Sequence, residues 1–185
     1  MNEQKGKLVV ISAPSGTGKG TVINELLKLR PGFAFSVSAT TRKPRQGEVN
    51  GIDYLFVSHD QFMEMIENNE FLEYARYVGE YYGTPVKPIK ANIDLGITVI
   101  LDIEVQGAKQ VMTKDIDAIT IFITAPDMVE LENRLRGRGT DSEEKIASRL
   151  KQARHELKEM HHYNHVVVND NASRAAEEIL SIIEK

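Results

Sequence analysis

Four large apolar residues, Leu8-Val9-Val10-Ile11, run straight into SAPSGTGKGT, Ser12 to Thr21, where every side chain before Lys19 is small or conformationally special. Apolar positions then recur at Val22, Ile23, Leu26 and Leu27 until Pro31-Gly32, the spacing of a helix over about Lys19–Leu29. A buried strand, a glycine-rich turn and a helix in that order make a phosphate-binding loop. Glycines let backbone N–H groups approach anionic oxygens, and the new helix points its positive end at them. Ser15, Gly16, Thr17, Gly18, Lys19, Gly20 and Thr21 are therefore expected around nucleotide phosphates, with Lys19 extended over the terminal ones. A turn that merely joins strand to helix would explain neither Lys19 nor the density of glycine.

Two positions depart from G-x-x-x-x-G-K-[ST]: Ala13 stands for the first glycine, and Gly20 for the residue whose hydroxyl normally meets magnesium. Alanine fits where φ is negative. Thr21 and Asp102 are placed no closer to Mg²⁺ than its bound water, and no protein metal ligand is assigned.

The remaining pattern is α/β. Phe35–Ser38 reads as a short strand, followed by a polar, basic stretch from Thr40 to Gly51. DYLFV and FLEYARYV read as strands around a helix beginning near Asp60, with Ser58 and Gln61 as a capping box and Gly79-Glu80 as a hairpin turn. A helix follows Pro85. Thr98–Leu101 reads as a buried strand ending at Asp102, Gln106–Met112 as a helix and Ile119–Ile123 as a strand. Met128, Leu131 and Leu135 mark a helix running into RLRGRG, and Thr140 with Glu143 a cap for the next one. The strand HVVVN and a helix over about Ala172–Ile183 close the chain. Strands alternating with helices imply a mostly parallel sheet with active loops at its carboxyl ends.

Charge narrows the partners. Acidic residues outnumber basic ones 27 to 23, a net charge of -4, which argues against a nucleic-acid or anionic-membrane footprint. No segment reads as membrane-spanning or as a cleaved leader, and cysteine is absent, so a cytoplasmic protein without disulfides or thiolate metal sites is expected. Histidines 161, 162 and 165 lack a convincing carboxylate partner for zinc.

SATTRKPRQGE offers a second anion site, because the planar forks of Arg42 and Arg45 each take two phosphate oxygens. Tyr54 and Tyr82 add hydroxyls or stacking rings. Strand alternation puts Phe71, Glu73 and Ala75 on one face. A covered Glu73 needs donors, and guanine supplies N1–H and an amino group side by side, whereas adenine would oppose a lone pair to the carboxylate. An unsatisfied buried polar group costs ~1–3 kcal/mol, enough for about ten- to a hundredfold discrimination. Ser38 and Thr84 add hydroxyls to the base edge.

These stretches, with ILDIEVQGAK, RLRGRGT and VVVND, resemble the bacterial guanylate kinases over nearly the whole chain, although the chain ends earlier, after SIIEK, than longer members. The resemblance implies a P-loop nucleoside monophosphate kinase fold: a core of residues 1–37, 85–126 and 161–185, an acceptor-binding insert of 38–84 and a helical lid region of 127–160. It implies transfer of the γ-phosphoryl of ATP to GMP, with dGMP also accepted, and Mg²⁺ as cofactor. Ser38, Glu73 and Thr84 would read guanine, while Arg42, Arg45, Tyr54 and Tyr82 grasp its phosphate. Arg138 and Arg149 would contact the ATP phosphates or the transferring group, Arg134 and Arg136 fitting less well. Asn169 would border adenine, and Asp102 would serve the GMP site or a magnesium-bound water. No obligatory protein partner is implied.

The acceptor phosphate has a second pKa of about 6 and needs no strong general base, so none of the five histidines is nominated. Lys19, Arg42, Arg138 and Arg149 form the expected catalytic set. Competing readings are a kinase for another nucleoside monophosphate, a catalytically inactive guanylate-kinase-like interaction module, and a GTPase, the last disfavoured by the missing N-K-x-D segment.

Overall fold

The computed structural model describes residues 5–77, 79–137 and 141–185. Strand β1 (Leu8–Ser12) lies at the centre of a five-stranded sheet and is buried along its whole length. Its neighbours are β7 (Val99–Asp102) and β8 (Ala118–Thr124), with β2 (Ala34–Phe35) and β9 (His165–Val168) at the edges, and every pairing is parallel. A strand covered on both faces needs an unbroken apolar run rather than alternation, which is what Leu8–Ile11 supplies.

The two faces nevertheless divide by parity. Val9 and Ile11 join Val22, Ile23 and Leu26 of α1 (Lys19–Leu29) and Ala175, Ala176, Ile179 and Ile183 of α7 (Ala172–Glu184). Leu8 and Val10 face the other way, onto Val105, Ala108 and Val111 of α4 (Val105–Met112), Ile89 of α3 (Val86–Asp94), Phe122 and Tyr163. The helices that follow the adjacent strands β1 and β7 thus leave for opposite faces. Such a switch point opens a crevice at the carboxyl ends of the two strands.

The insert builds a second sheet in the order β4-β3-β6-β5, from β3 (Ala39–Thr40), β4 (Leu55–Phe56), β5 (Phe71–Tyr77) and β6 (Glu80–Pro85). Helix α2 (His59–Glu67) covers it and carries the expected reciprocal cap between Ser58 and Gln61. Phe62 stacks on Phe71 at 4.5 Å to form its small core. The β5–β6 hairpin turns at Gly79, where φ is 87°.

Several local expectations are corrected. The strand expected over Phe35–Ser38 is Ala34–Phe35, and the chain leaves the sheet after Ser36 donates to the Ile100 carbonyl. A register shift between Phe71 and Glu73 breaks the alternation of FLEYA: Phe71 goes to the insert core, Leu72 to the main core, and Glu73 with Ala75 to a cavity. Helix α6 (Glu143–Leu157) is capped by Ser142, whose hydroxyl accepts from the Lys145 N–H; Thr140 lies outside the described residues. Asn171 caps α7, its side chain accepting from the Arg174 N–H.

Helix α5 (Met128–Gly137) and α6 share a separate cluster of Leu131, Leu135, Ile146, Leu150 and Ala153. Among the described residues no helix is long and apolar enough to cross a membrane.

Candidate active site

The loop between β1 and α1 borders a cavity of about 370 Å³ lined by Ala13 through Thr21 with Glu104, Gln152 and Glu156. Gly16 and Gly18 have φ of 93° and 85°, and a Cβ there would meet Leu135 at 2.8 Å and Asn169 Nδ2 at 2.7 Å. Both the backbone and its neighbours demand glycine. Ala13 is not among the positive-φ residues, which explains why alanine serves in place of the first glycine. Gly20 has neither a positive φ nor any atom within 4 Å of an added Cβ, so its small size is not imposed by packing.

Thr17 turns inward. Its hydroxyl donates to the Pro14 carbonyl at 2.9 Å, and its own carbonyl accepts from Asn169 Nδ2 at 2.7 Å and Arg134 Nη1 at 3.1 Å. Arg134 Nη2 also donates to the Asn169 carbonyl at 2.9 Å. Sequence reasoning passed over this buttress, although Leu131 and Leu135 signalled it. The apolar stripe that seats α5 on Gly16 carries Arg134, one residue before Leu135, toward the loop.

The second cavity, about 400 Å³, is lined by Ser38, Tyr54, Glu73, Ala75, Tyr82, Asp102 and Glu104, among others. Glu73 is 8% exposed and accepts the Thr84 hydroxyl at 2.5 Å. Burial pushes its carboxyl upward, the Thr84 hydrogen bond opposes that, and the Glu104 charge adds to it. Gly107, inside α4, makes the space: a Cβ there would lie 2.8 Å from Glu73 Oε2. The available signal was a glycine in a helix interior, which costs about 1 kcal/mol unless something requires it.

Arg42 is held in a fork. Its Nη1 and Nη2 donate to Glu48 Oε2 and Oε1 at 2.9 and 2.8 Å, while Nη1 also reaches the Lys43 carbonyl. The guanidinium lies 5.2 Å from the centre of the Tyr54 ring, which meets Tyr82 edge-on. Glu48 raises the Arg42 pKa, and Arg42 with the Arg45 N–H lowers that of Glu48 to about 2. These contacts use three of the five guanidinium donors, and the Tyr82 hydroxyl also bears on the guanidinium. The Arg45 side chain is exposed, and the cavity is lined by neither Arg45, Arg42 nor Thr84, the last two reaching it through Tyr54 and Glu73.

The two cavities adjoin. Glu104 lines both, and Lys19 of the first bonds Asp102 of the second at 2.6 Å, with the Ile103 carbonyl accepting from the same ammonium at 3.1 Å. That junction sits in the crevice between β1 and β7. A chain with a phosphate-type loop on one side of it and a buried carboxylate–hydroxyl pair on the other has the layout of a two-substrate nucleotide enzyme.

Comparison with known proteins agrees with that layout. The guanylate kinase family model matches residues 5–185. The chain belongs to the guanylate kinase family. It is 52% identical to the guanylate kinase of Lactococcus lactis over 181 residues, covering 98% of this chain and 88% of that protein. It is 54% identical to the guanylate kinase of Trichodesmium erythraeum over 168 residues, covering 91% and 90%. The crystal structure of guanylate kinase from Anaplasma phagocytophilum superposes with a TM-score of 0.72 at 35% identity, covering 98% of this chain and 86% of that one.

Within this guanylate kinase fold, the remaining expected arginines divide. Arg149 shares the α6 face of Gln152 and Glu156 and pairs with Asp141 at 3.0 Å. Arg136 faces outward, bridging Glu132 and Glu143. Arg138 lies outside the described residues.

Proposed function

We propose that this guanylate kinase family member transfers the γ-phosphoryl of ATP to GMP, giving ADP and GDP, and accepts dGMP as well. The observation that carries the reading is the junction: Lys19 and Asp102 meet where a phosphate-loop cavity and a cavity ending in Glu73–Thr84 share Glu104. We assign the donor to the loop of Ser15–Thr21, with Asn169 beside it and Arg149 on α6, and assign Arg138 to the same phosphates by the family resemblance. We assign the acceptor to Ser38, Arg42, Arg45, Tyr54, Glu73, Tyr82, Thr84 and Asp102. The division into core, 38–84 insert and 127–160 lid follows the same reading, and a cytoplasmic location suits it.

In this arrangement the Glu73 carboxylate, held by Thr84, accepts from guanine N1–H and the 2-amino group. Arg42 is orientated by Glu48 for the acceptor phosphate, and Tyr54 and Tyr82 flank it. That phosphate is already largely ionised near neutral pH, so the chemical obstacle is alignment of two anions rather than proton removal. Lys19 exchanges Asp102 for donor phosphate, which keeps the ammonium aimed before the ligand arrives. Arg149 is delivered by the helix that carries Gln152 and Glu156. Lys19, Arg42, Arg138 and Arg149 together meet the charge that spreads over the transferring group.

Mg²⁺ fits the donor set in one particular way. Gly20 offers no hydroxyl, and no three-ligand cluster occurs among the described residues, but Asp102, Glu104 and Thr21 supply hard oxygens beside the loop. That set suits a cation held through phosphates and its own waters, as Mg²⁺ prefers. When bound, Mg²⁺ supplies positive charge that neutralises the donor phosphates.

The test is a coupled assay with purified protein, ATP and Mg²⁺ across GMP, dGMP, AMP, CMP and UMP. GMP and dGMP should turn over at least about a hundredfold faster than the others, the discrimination that a matched hydrogen-bonding pocket provides. Comparable use of AMP would overturn the acceptor assignment.

A further inference from the structure

The cavity assigned to the donor phosphates carries an unexpected balance of charge. Among the described residues lining it, Lys19 is the basic one, and Glu104 and Glu156 are acidic. Lys19 is moreover already paired with Asp102. Those side chains set a net negative charge against the attraction that the loop N–H groups and the α1 N-terminus offer a bare triphosphate.

Glu156 is the less expected of the two acids, because it comes from α6 rather than from the strand ends. It projects into the cavity one turn after Gln152, whose amide donates to Glu156 Oε1 at 2.8 Å and fixes the carboxylate there. The other oxygen, Oε2, is sealed from solvent on the side of the Ser15 N–H. Burial raises the Glu156 pKa above the ordinary carboxylate value and the Glu104 charge adds to it, while the Gln152 hydrogen bond, the Lys19 charge and the Ser15 N–H oppose the shift. The Ser15 N–H belongs to the same loop that is assigned to phosphate.

We infer that Glu156 is a specificity-determining residue of the donor site, which disfavours metal-free nucleotide and thereby restricts the site to nucleotide complexed with a divalent cation. The inference rests on the assignment of this cavity to ATP. In its ionised form the Glu156 carboxylate repels an uncomplexed polyphosphate, whereas a divalent cation on the phosphates cancels much of that repulsion. A bystander carboxylate would weaken both forms alike or neither.

Titration calorimetry of ADP and ATP, each with excess Mg²⁺ and with EDTA, separates these cases for the natural protein, E156Q and E177Q. Glutamine keeps the shape and the acceptor for Gln152, and Glu177 is an exposed α7 residue that controls for net charge. E156Q should tighten metal-free nucleotide about five- to tenfold, the size of one like-charge contact at moderate effective dielectric, and change the Mg²⁺ complexes much less. E177Q should behave as the natural protein does. Equal changes with and without Mg²⁺, or no change in E156Q, would overturn the inference. Should the natural protein bind neither nucleotide under either condition, the donor assignment itself falls. GMP binding of E156Q that matches the natural protein, and a Tm no lower than the natural protein's, show that the fold and the acceptor site are intact.

Discussion

The Lys19 ammonium, from the first residue of α1, and the Asp102 carboxylate, from the last residue of β7, meet at 2.6 Å across the crevice between two adjacent parallel strands. The ion pair is partly open to solvent, and the Ile103 carbonyl fixes the ammonium from a second direction. A lysine so held is orientated before any substrate enters, and its exchange from carboxylate to phosphate costs less reordering than capture of a free side chain would.

Removing that charge should damage transfer far more than acceptor binding. K19A is expected to lower kcat by about a hundredfold or more, the usual scale for one preorganised electrostatic group. GMP affinity, measured separately by calorimetry, should stay within about threefold, because Lys19 meets the acceptor cavity at its edge, through Asp102 and the Ile103 carbonyl. Unchanged turnover would remove Lys19 from the catalytic set.

Glu73 should trade stability for recognition. Its folded-state pKa lies above the ordinary carboxylate value, chiefly through burial, so the folded protein binds a proton more readily than the unfolded chain. Stability conferred by the protonated form is therefore full at low pH and declines as pH rises through the folded pKa. E73Q removes the buried charge while leaving an acceptor for Thr84. It should raise Tm at pH 8 by about 2–4 °C, equivalent to ~1 kcal/mol in a chain of this size. The gain should shrink toward pH 4, where natural Glu73 is itself protonated. The same variant should lose GMP efficiency by at least about tenfold with ATP binding retained. Equal loss for both substrates would refute base reading.

Two helical glycines offer a matched comparison. Gly107 faces Glu73 Oε2 at 2.8 Å, while Gly20 has nothing within 4 Å of an added Cβ. G20A should stabilise the protein by about 0.5–1 kcal/mol through helix propensity. In G107A the same propensity gain is opposed by overpacking, typically ~1–3 kcal/mol, and the displaced carboxylate should raise KM for GMP about tenfold or more. Chemical denaturation and acceptor kinetics on the two variants decide the matter; a GMP KM unchanged in G107A would show that the carboxylate has room elsewhere.

Glu48 should act through Arg42. Its pKa of about 2 means that the pair persists above the ordinary carboxylate range and is lost as pH falls toward 2. E48Q loses that charge and one of the strong acceptors on the fork, so Arg42 is less well fixed. KM for GMP should rise about three- to tenfold while kcat at saturation changes less, as expected when an orienting partner is removed from a binding group. A fall in kcat alone would instead place Glu48 at the reacting centre.

Much of the scaffold was legible because its signals are local. The apolar run before SAPSGTGKGT, the Ser58–Gln61 cap and the Gly79 hairpin each specify a conformation within a few residues, and each appears, although Glu80, expected in the turn, already pairs with Tyr77. What escaped depended on neighbours distant in the chain. The register shift after Phe71 arises where one strand must serve the insert core, the main core and a cavity in three successive residues. Arg134 could be placed only once Leu131 and Leu135 were known to sit on Gly16, and Gly107 only once Glu73 was known to lie opposite. The cap at Ser142 was missed because Thr140 offered the same side-chain chemistry two residues earlier.

Leu72 is rooted among the residues beneath the central sheet, and the adjoining Glu73 reaches the acceptor cavity. One peptide unit joins the two side chains, so the carboxylate inherits its footing from the close-packed main core, and a change of packing around Leu72 would be felt at the pocket without any contact to a guest molecule.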